Sequence, residues 1–360
     1  MQILVFGAGA IGSYLGFRLA GAGHDVALVG RQTYVRAVRK QGLCLRAEGR
    51  AIADDGRRDA TAVRVVHPQA VESIEELPAG RRSWDLVLLT VKAYDTTSAA
   101  QALAPHLGAQ TPLLIVQNGV GSEALVREVL PETPLISGVI TLSVSVQGPG
   151  CVRLETTRGG LNLAVVSEAL PVQPWAELFR AAGLRTSAFP DYRALKWSKL
   201  LLNIQANAIP AILDMTPGAV FADPTLFAVE RAAFKEAVAV MRALGLQAVN
   251  FPNYPVRLLV LAMELLPAPV LRPILTRLVA SGRGDKRPSL LIDLASGQPQ
   301  SEVLYLNGAV AKHGQQAGVP VPVNRCLCDA LMGIVAGGEE WGTLRGCPDR
   351  LLAMLEASRR

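Results

Sequence analysis

Residues 3–6, Ile-Leu-Val-Phe, run directly into Gly7, Gly9 and Gly12 in G-x-G-x-x-G spacing, and a helical pattern and a second apolar run, Asp25 to Val29, follow. Few local patterns restrict a fold as tightly, because a strand must turn sharply and give way at once to a helix, which opens a βαβ unit. Gly7 lets the strand turn, Gly9 leaves bare backbone where a pyrophosphate can approach, and Gly12 lets the helix press against the sheet. The N–H groups at the helix start then face that approach with partial positive charge. Gly7, Ala8, Gly9, Ala10, Ile11 and Gly12 are therefore candidate dinucleotide contacts.

The end of the second strand bears on which dinucleotide is held. An acidic residue there takes the ribose hydroxyls of NAD, and its charge repels a 2′-phosphate. This chain has Gly30 and Arg31 instead. A guanidinium offers a phosphate a charge-assisted fork, so NADPH/NADP is the expected cofactor, with Gln32 and Arg36 as helpers to Arg31. The alternative is that Arg31 is a solvated surface arginine.

At 360 residues the chain is long enough for two domains with cores of their own. Half of its residues are hydrophobic and mean hydropathy is +0.29, which raises the question of a membrane. The strongest span, Val256 to Ala280, is interrupted by Glu264, Arg272 and Arg277 and broken by Pro267, Pro269 and Pro273, so short helices are expected there. The N-terminus reads as a strand and a glycine loop rather than a secretory signal. Five cysteines (Cys44, Cys151, Cys326, Cys328 and Cys347) contain no C-x-x-C pair, and only four histidines accompany them. The expectation is no metal, and buried free thiols in a reducing cytoplasm. The net charge of +6 is spread out and only 5% of residues are aromatic, which argues against a nucleic-acid surface and for mild attraction of anionic substrates.

The first half alternates strand and helix. Further strands are expected at Leu43 to Arg46, Ala62 to Val65, Leu86 to Thr90, Leu113 to Gln117, Leu135 to Ile140, Cys151 to Glu155 and Leu161 to Val165, with a helix from Thr96 to Leu107. The continuous apolar runs suit parallel strands buried on both faces of a doubly wound sheet, whose ligand lies at the carboxyl ends of the strands. Lys92 and Asn118 each follow such a strand closely and are expected to face that crevice, although Asn118-Gly119 also reads as an ordinary turn. From about residue 190 the pattern is helical: Leu195 to Ile209, Pro224 to Leu244, Val256 to Leu265, Pro269 to Ser281, Ser301 to Ala317 and Asn324 to Gly337. The expected domains are therefore 1–189 and 190–360, with the active site in the cleft between them.

Lys199, Asn203 and Asn207 follow one another at intervals of four, which puts an ammonium and two amides on one face of a helix from Leu195 to Ile209. Buried polar groups must find partners, either neighbouring backbone or a polar ligand. Burial of the lysine would lower its pKa toward the range useful for proton transfer. Ser289 and Asp293 in RPSLLID, and Glu302, Tyr305 and Asn307 in SEVLYLNG, add polar groups whose roles spacing leaves open. Glu302 stands at a helix start, where a carboxylate also suits the dipole.

Taken in order, GAGAIGSYLG, VKAYDT, QNGVGSE, KLLLNIQAN, PSLLID and EVLYLNG resemble the ketopantoate 2-reductase family, the PanE/ApbA group, from Met1 to about Leu331. The resemblance implies an N-terminal Rossmann-type α/β domain followed by an all-α domain of the 6-phosphogluconate dehydrogenase C-terminal type. It implies NADPH-dependent reduction of 2-dehydropantoate to (R)-pantoate in pantothenate synthesis. By position, Lys199 matches the catalytic lysine, Asn203 and Asn207 the substrate asparagines, Asn118 the cleft asparagine, Ser289 and Glu302 the active-site serine and glutamate, and Lys92 and Arg31 the cofactor-side cations. On this footing Lys199 stabilises and protonates the nascent alkoxide, Asn118 fixes it, and Glu302 holds the substrate hydroxyl. Asn118 and Glu302 are also expected to touch the cofactor. Asn203, Asn207 and Ser289 take the other polar atoms, the carboxylate included.

Three departures bear on the substrate. Pro288-Ser289-Leu290 stands where the family often has two serines and a methionine, the Ser296-Gly297-Gln298-Pro299 turn lengthens the link to Glu302, and Asn250 to Arg287 is extended, with Arg283 to Arg287 adding positive charge. The expected partner is a small 2-oxo acid, ketopantoate or another branched one, with a homodimer formed through the apolar helices of 256–280.

Overall fold

Unbroken apolar runs along successive short segments are what strands covered on both faces require, and the computed structural model forms them. It describes residues 1–47, 63–78, 80, 83–156, 158–167, 170–283 and 287–358. The strands are β1 (Gln2–Phe6), β2 (Asp25–Val29), β3 (Leu43–Ala47), β4 (Val63–Val66), β5 (Gln69–Val71), β6 (Leu86–Leu89), β7 (Leu113–Ile115), β8 (Leu135–Ile140), β9 (Val144–Gly148), β10 (Cys151–Leu154), β11 (Leu161–Val165) and β12 (Thr186–Phe189). Ala62, expected in a strand, lies outside the described residues, as do residues 284–286 of the basic stretch Arg283 to Arg287.

Among the described residues these strands make an eight-stranded sheet, ordered β12-β11-β8-β7-β6-β1-β2-β5, and a four-stranded sheet, ordered β4-β3-β10-β9. In the larger sheet all neighbours are parallel except β8 and β11. Alternate residues of one strand serve opposite cores: Ile3 and Val5 pack with Leu28, Leu86 and Leu88 on one face, and Leu4 with Ala27, Val87 and Leu89 on the other. β1 pairs with β2 on one side and β6 on the other, so the chain order reverses direction at β1. That reversal leaves a crevice at the carboxyl ends of β1 and β6. The sequence reading expects β3, β4 and β10 as strands but not β9, nor that the four form a sheet of their own.

The chain falls into two compact units, one of Met1–Gln117, Ser122–Leu195 and Phe251–Asn253, the other of Asn118–Gly121, Lys196–Asn250 and Tyr254–Arg360. In the second unit the element pattern is helical, with Pro224–Ala243 the longest helix at 20 residues. Its start is built from the side-chain oxygen of Asp223, which accepts from the N–H groups of Thr225 and Leu226, and from Pro224 in the first turn. The apolar stretch after residue 255 forms the helices Val256–Leu265 and Ala268–Arg283, and no helix among the described residues is long and apolar enough to cross a membrane.

Two expectations are corrected. The helix expected to carry Lys199, Asn203 and Asn207 does not run from Leu195 to Ile209: it spans Tyr192–Ile204, and a separate helix, Ala208–Leu213, follows. Nor are all five thiols free and buried. Cys44 and Cys151 are paired as a disulfide, in direct register on the neighbouring strands β3 and β10 with Cα atoms 4.4 Å apart. Their sequence separation of 107 hid a contact that only sheet pairing creates. Cys326 and Cys328 are free and buried, while Cys347 is free and exposed.

Candidate active site

β1 ends in a turn that only glycine fits. Gly7 takes φ +110°, and a Cβ there would lie 2.6 Å from the backbone nitrogen of Val91. The N–H groups of Gly7 and Ala8 both donate to the carbonyl of Val29, at 3.2 and 2.9 Å, which ties the loop to the end of β2. The helix Ala10–Gly21 then starts with Gly9 as its N-cap. A Cβ on Gly12 would stand 2.2 Å from the Gly7 carbonyl oxygen and 2.5 Å from Thr90 Oγ1, so the close approach of helix to sheet requires glycine. A Cβ on Gly9 would meet no protein atom within 4 Å: it would project into the space that the helix N-terminus faces. A cradle of this form fits a pyrophosphate, which would meet the backbone N–H groups of the first turn of the Ala10–Gly21 helix; those of Ala8 and Gly9 are engaged by the Val29 and Gly7 carbonyls.

The end of β2 shows why no acid stands there. A Cβ on Gly30 would meet Ala8 Cβ and the Tyr34 ring at 2.9 Å, so a side chain is excluded. Ser13 Oγ donates to Tyr34 Oη at 3.1 Å, and burial pushes the Tyr34 hydroxyl up to about 12 against that bond. Arg31 is exposed and caps the helix Gln32–Gln41. Lys92, half-buried, caps the short turn Ala93–Asp95 that follows β6. Burial pushes the Asp95 carboxyl up, with Arg31 and Lys92 pulling against it, so these three groups share one electrostatic neighbourhood. Gln117, buried at the end of the β7 segment, donates through Nε2 to the carbonyls of Val91 and Lys92 and to Thr96 Oγ1, at 3.1, 3.2 and 2.9 Å, which fixes the Lys92 loop.

The loop Asn118–Gly121 groups with the helical unit. Gly119 takes φ +84°, a Cβ there would strike the Tyr305 carbonyl oxygen at 2.4 Å, and the Val120 N–H donates to that same oxygen at 3.0 Å. Glu302 opens the turn Glu302–Tyr305, is 5% exposed, and follows Ser301, whose Oγ accepts from the Val303 N–H at 3.2 Å. The Asn118 loop is thus stitched to the Glu302 turn. On its other flank, Asn203 Nδ2 donates to Asn118 Oδ1 at 3.3 Å. Asn207 Nδ2 donates to the Asn203 carbonyl at 3.1 Å, and Asn207 Oδ1 accepts from the Leu290 N–H at 3.3 Å. Leu290 is the second residue of the helix Ser289–Ala295, so this bond brings exposed Ser289 to the same cluster. Lys199 stands half-buried one helical turn before Asn203.

The helical unit therefore gathers Asn118, Asn203, Asn207 and the start of the Ser289 helix in one chain of hydrogen bonds, joined through the Asn118 loop to the Glu302 turn. Arg31, Lys92 and the glycine loop belong to the other unit. Asn207 is 6% exposed with both ends of its amide engaged, which makes it a brace as well as a candidate ligand. Sequence reasoning missed Glu230, 1% exposed, whose carboxylate accepts from the Ala206 N–H. It lies in an ordinary helical run with no spacing signal. Tyr34 was missed for the same reason, and Gln117, just after β7, because its partners Val91, Lys92 and Thr96 lie more than 20 residues away in sequence.

The profile of "Ketopantoate reductase PanE/ApbA" matches residues 3–168, and that of "Ketopantoate reductase PanE/ApbA C terminal" matches residues 191–335. The 2-dehydropantoate 2-reductase of Halobacterium salinarum is 31% identical over 339 residues, covering 92% of this chain and 98% of its own. A solved PanE/ApbA family ketopantoate reductase from Ralstonia eutropha is 30% identical, with a TM-score of 0.76 over 94% of this chain and 99% of its own. D-mandelate dehydrogenase, solved with NADH and anilino(oxo)acetate, shares the fold with a TM-score of 0.76 at 20% identity, over 94% of this chain and 99% of its own. Together, the two profiles and the full-length likeness show that the chain belongs to the ketopantoate reductase PanE/ApbA family.

Proposed function

We propose that this protein reduces 2-dehydropantoate (ketopantoate) to (R)-pantoate with NADPH, in the synthesis of pantothenate and coenzyme A. The observation that carries this reading is the polar chain Asn118–Asn203–Asn207, one turn from Lys199 and stitched to buried Glu302, in a chain of this family.

Residues 7–12 would hold the pyrophosphate, and Arg31 the 2′-phosphate, with Lys92 adding positive charge on the same side. Bound there, the nicotinamide supplies a hydride for the substrate's C2 carbonyl. Reduction of that carbonyl builds negative charge on its oxygen. The Lys199 ammonium stabilises that charge and donates a proton to the oxygen, and Asn118, held by Asn203, orients it. Ser289 and Asn203 take the carboxylate and remaining polar atoms, and the Glu302 carboxylate accepts from the substrate's hydroxyl. The absence of an acid at residue 30, enforced by Ala8 and Tyr34, supports NADPH over NADH.

The helices Val256–Leu265 and Ala268–Arg283 expose Leu258, Leu261, Leu265, Val270, Ile274 and Leu278, each between 48 and 75% accessible, which supports pairing with a second copy of the chain. Leu265→Glu is expected to shift the mass in solution from dimer to monomer, as read by analytical ultracentrifugation.

Steady-state NADPH oxidation with a panel of 2-oxo acids tests the function. Ketopantoate is expected to give the highest kcat/KM. A higher value for another branched 2-oxo acid would replace the substrate, and cofactor binding without turnover on any of them would replace the reaction.

A further inference from the structure

The helix bearing Lys199 and Asn203 stops at Ile204, and Asn207 caps the next helix. Ala206, in the break, takes φ +51°, the left-handed region that residues with a Cβ rarely adopt. Such a turn persists only where its surroundings hold it. The holder is on a different helix: Glu230 of Pro224–Ala243 places both carboxylate oxygens on the Ala206 N–H, at 3.1 and 3.0 Å, and its carbonyl accepts from Gln205 Nε2 at 3.2 Å. A carboxylate 1% exposed is costly to bury, and bonds to its charged form are the stronger kind.

What the turn controls is the direction of Asn207. In a continuous helix Asn207 would sit on the same stripe as Asn203. In the broken one its amide bridges the Asn203 carbonyl to the Leu290 N–H, and so sets where the start of the Ser289 helix lies relative to Asn203. We propose that Glu230 is a positioning residue for substrate binding: its carboxylate clamps the left-handed turn at Ala206, and the turn aligns Asn203 with Ser289 through Asn207. This rests on the reading that Asn203 and Ser289 bind the 2-oxo acid.

Glu230→Gln keeps the shape and one acceptor oxygen while putting an amide donor in place of the second oxygen on the Ala206 N–H. It is expected to speed amide exchange at Ala206, followed by NMR, by about tenfold, and to raise KM for ketopantoate by about tenfold, with kcat and KM for NADPH within about threefold of the parent. Glycine adopts φ +51° without help, so adding Ala206→Gly to Glu230→Gln is expected to bring KM back to within about threefold of the parent. Unchanged exchange and KM in Glu230→Gln would overturn the proposal, and so would a raised KM that Ala206→Gly fails to restore. Should Glu230→Gln not fold, the double variant is expected to fold with near-parental KM, and its failure to do so is equally fatal. The exchange measurement needs no turnover: if the parent enzyme ignores ketopantoate, the functional reading fails while the clamp is still decided by exchange at Ala206.

Discussion

Asn203 Nδ2 donates to Asn118 Oδ1 at 3.3 Å, across 85 positions of sequence, and joins a loop that follows a strand to a helix that begins some 70 residues later. Each amide holds the other's orientation, so each decides which donor or acceptor faces a ligand. Asn118→Ala and Asn203→Ala are each expected to lower kcat/KM for ketopantoate by about tenfold, and the double variant to lose less than the product of the two. A coupling of about 1 kcal/mol in that cycle is expected; strict additivity would mean that the bond has no role in the reaction.

Lys199→Ala is expected to lower kcat by about 100-fold or more, the usual worth of a general acid, and to leave NADPH affinity unchanged. Stopped-flow turnover with fluorescence titration of NADPH separates the two. A kcat within about threefold of the parent would remove Lys199 from the chemistry.

Arg31 is exposed, and it is its backbone carbonyl, not its side chain, that serves the start of the Gln32–Gln41 helix, so truncation of the guanidinium reports chiefly on the cofactor. Arg31→Ala is expected to raise KM for NADPH by about tenfold to hundredfold, with KM for NADH unchanged. Equal effects on both cofactors would show that the guanidinium does not meet the 2′-phosphate.

Gly12→Ala would force a Cβ to within 2.2 Å of the Gly7 carbonyl and 2.5 Å of Thr90 Oγ1. Helix and strand must then separate, at a cost of about 1–3 kcal/mol. The expected result is a lower Tm together with weaker NADPH binding, read by thermal melts with and without nucleotide. Gly9→Ala is expected to leave the apo Tm nearly unchanged and to weaken the nucleotide, since its Cβ meets no protein atom.

Asp223 gives a pH signature of stability. Its carboxyl is held below its ordinary value, first by the bond from the Leu226 N–H and then by those from Thr225. A depressed folded value means that this stabilisation is complete above the unfolded pKa of about 3.9 and is lost as pH falls through the folded value. Asp223→Ala is expected to cost about 1 kcal/mol at pH 7, and the gap between the two proteins to close below about pH 4. A gap that stayed constant through that range in urea melts would assign it to packing instead.

The Rossmann half was legible because its signals are local. Apolar runs two-sided in burial, the glycines at 7, 9 and 12, and the shift to helical spacing after residue 190 each depend on neighbours in sequence. Lys199 and Asn203, one turn apart on an uninterrupted helix, were legible for the same reason. The extension to Asn207 failed because periodicity assumes an unbroken helix, and the break at Ala206 is held by Glu230, which lies 24 residues away in sequence. The pairing of Cys44 with Cys151 was hidden likewise, since strand register is not written in spacing.

The sequence by itself determined the opening βαβ unit, most strands of the larger sheet, the phosphate cradle and the identity of the polar groups, because dihedral freedom, burial period and side-chain chemistry belong to residues and their near neighbours. Only the tertiary structure decided that Asn118 meets Asn203, that the Tyr305 carbonyl seats Gly119 and Val120, and that a buried carboxylate turns the chain before Asn207. The physical reason is that hydrogen bonds between distant segments form where packing delivers their donors and acceptors, and packing is a property of the whole chain.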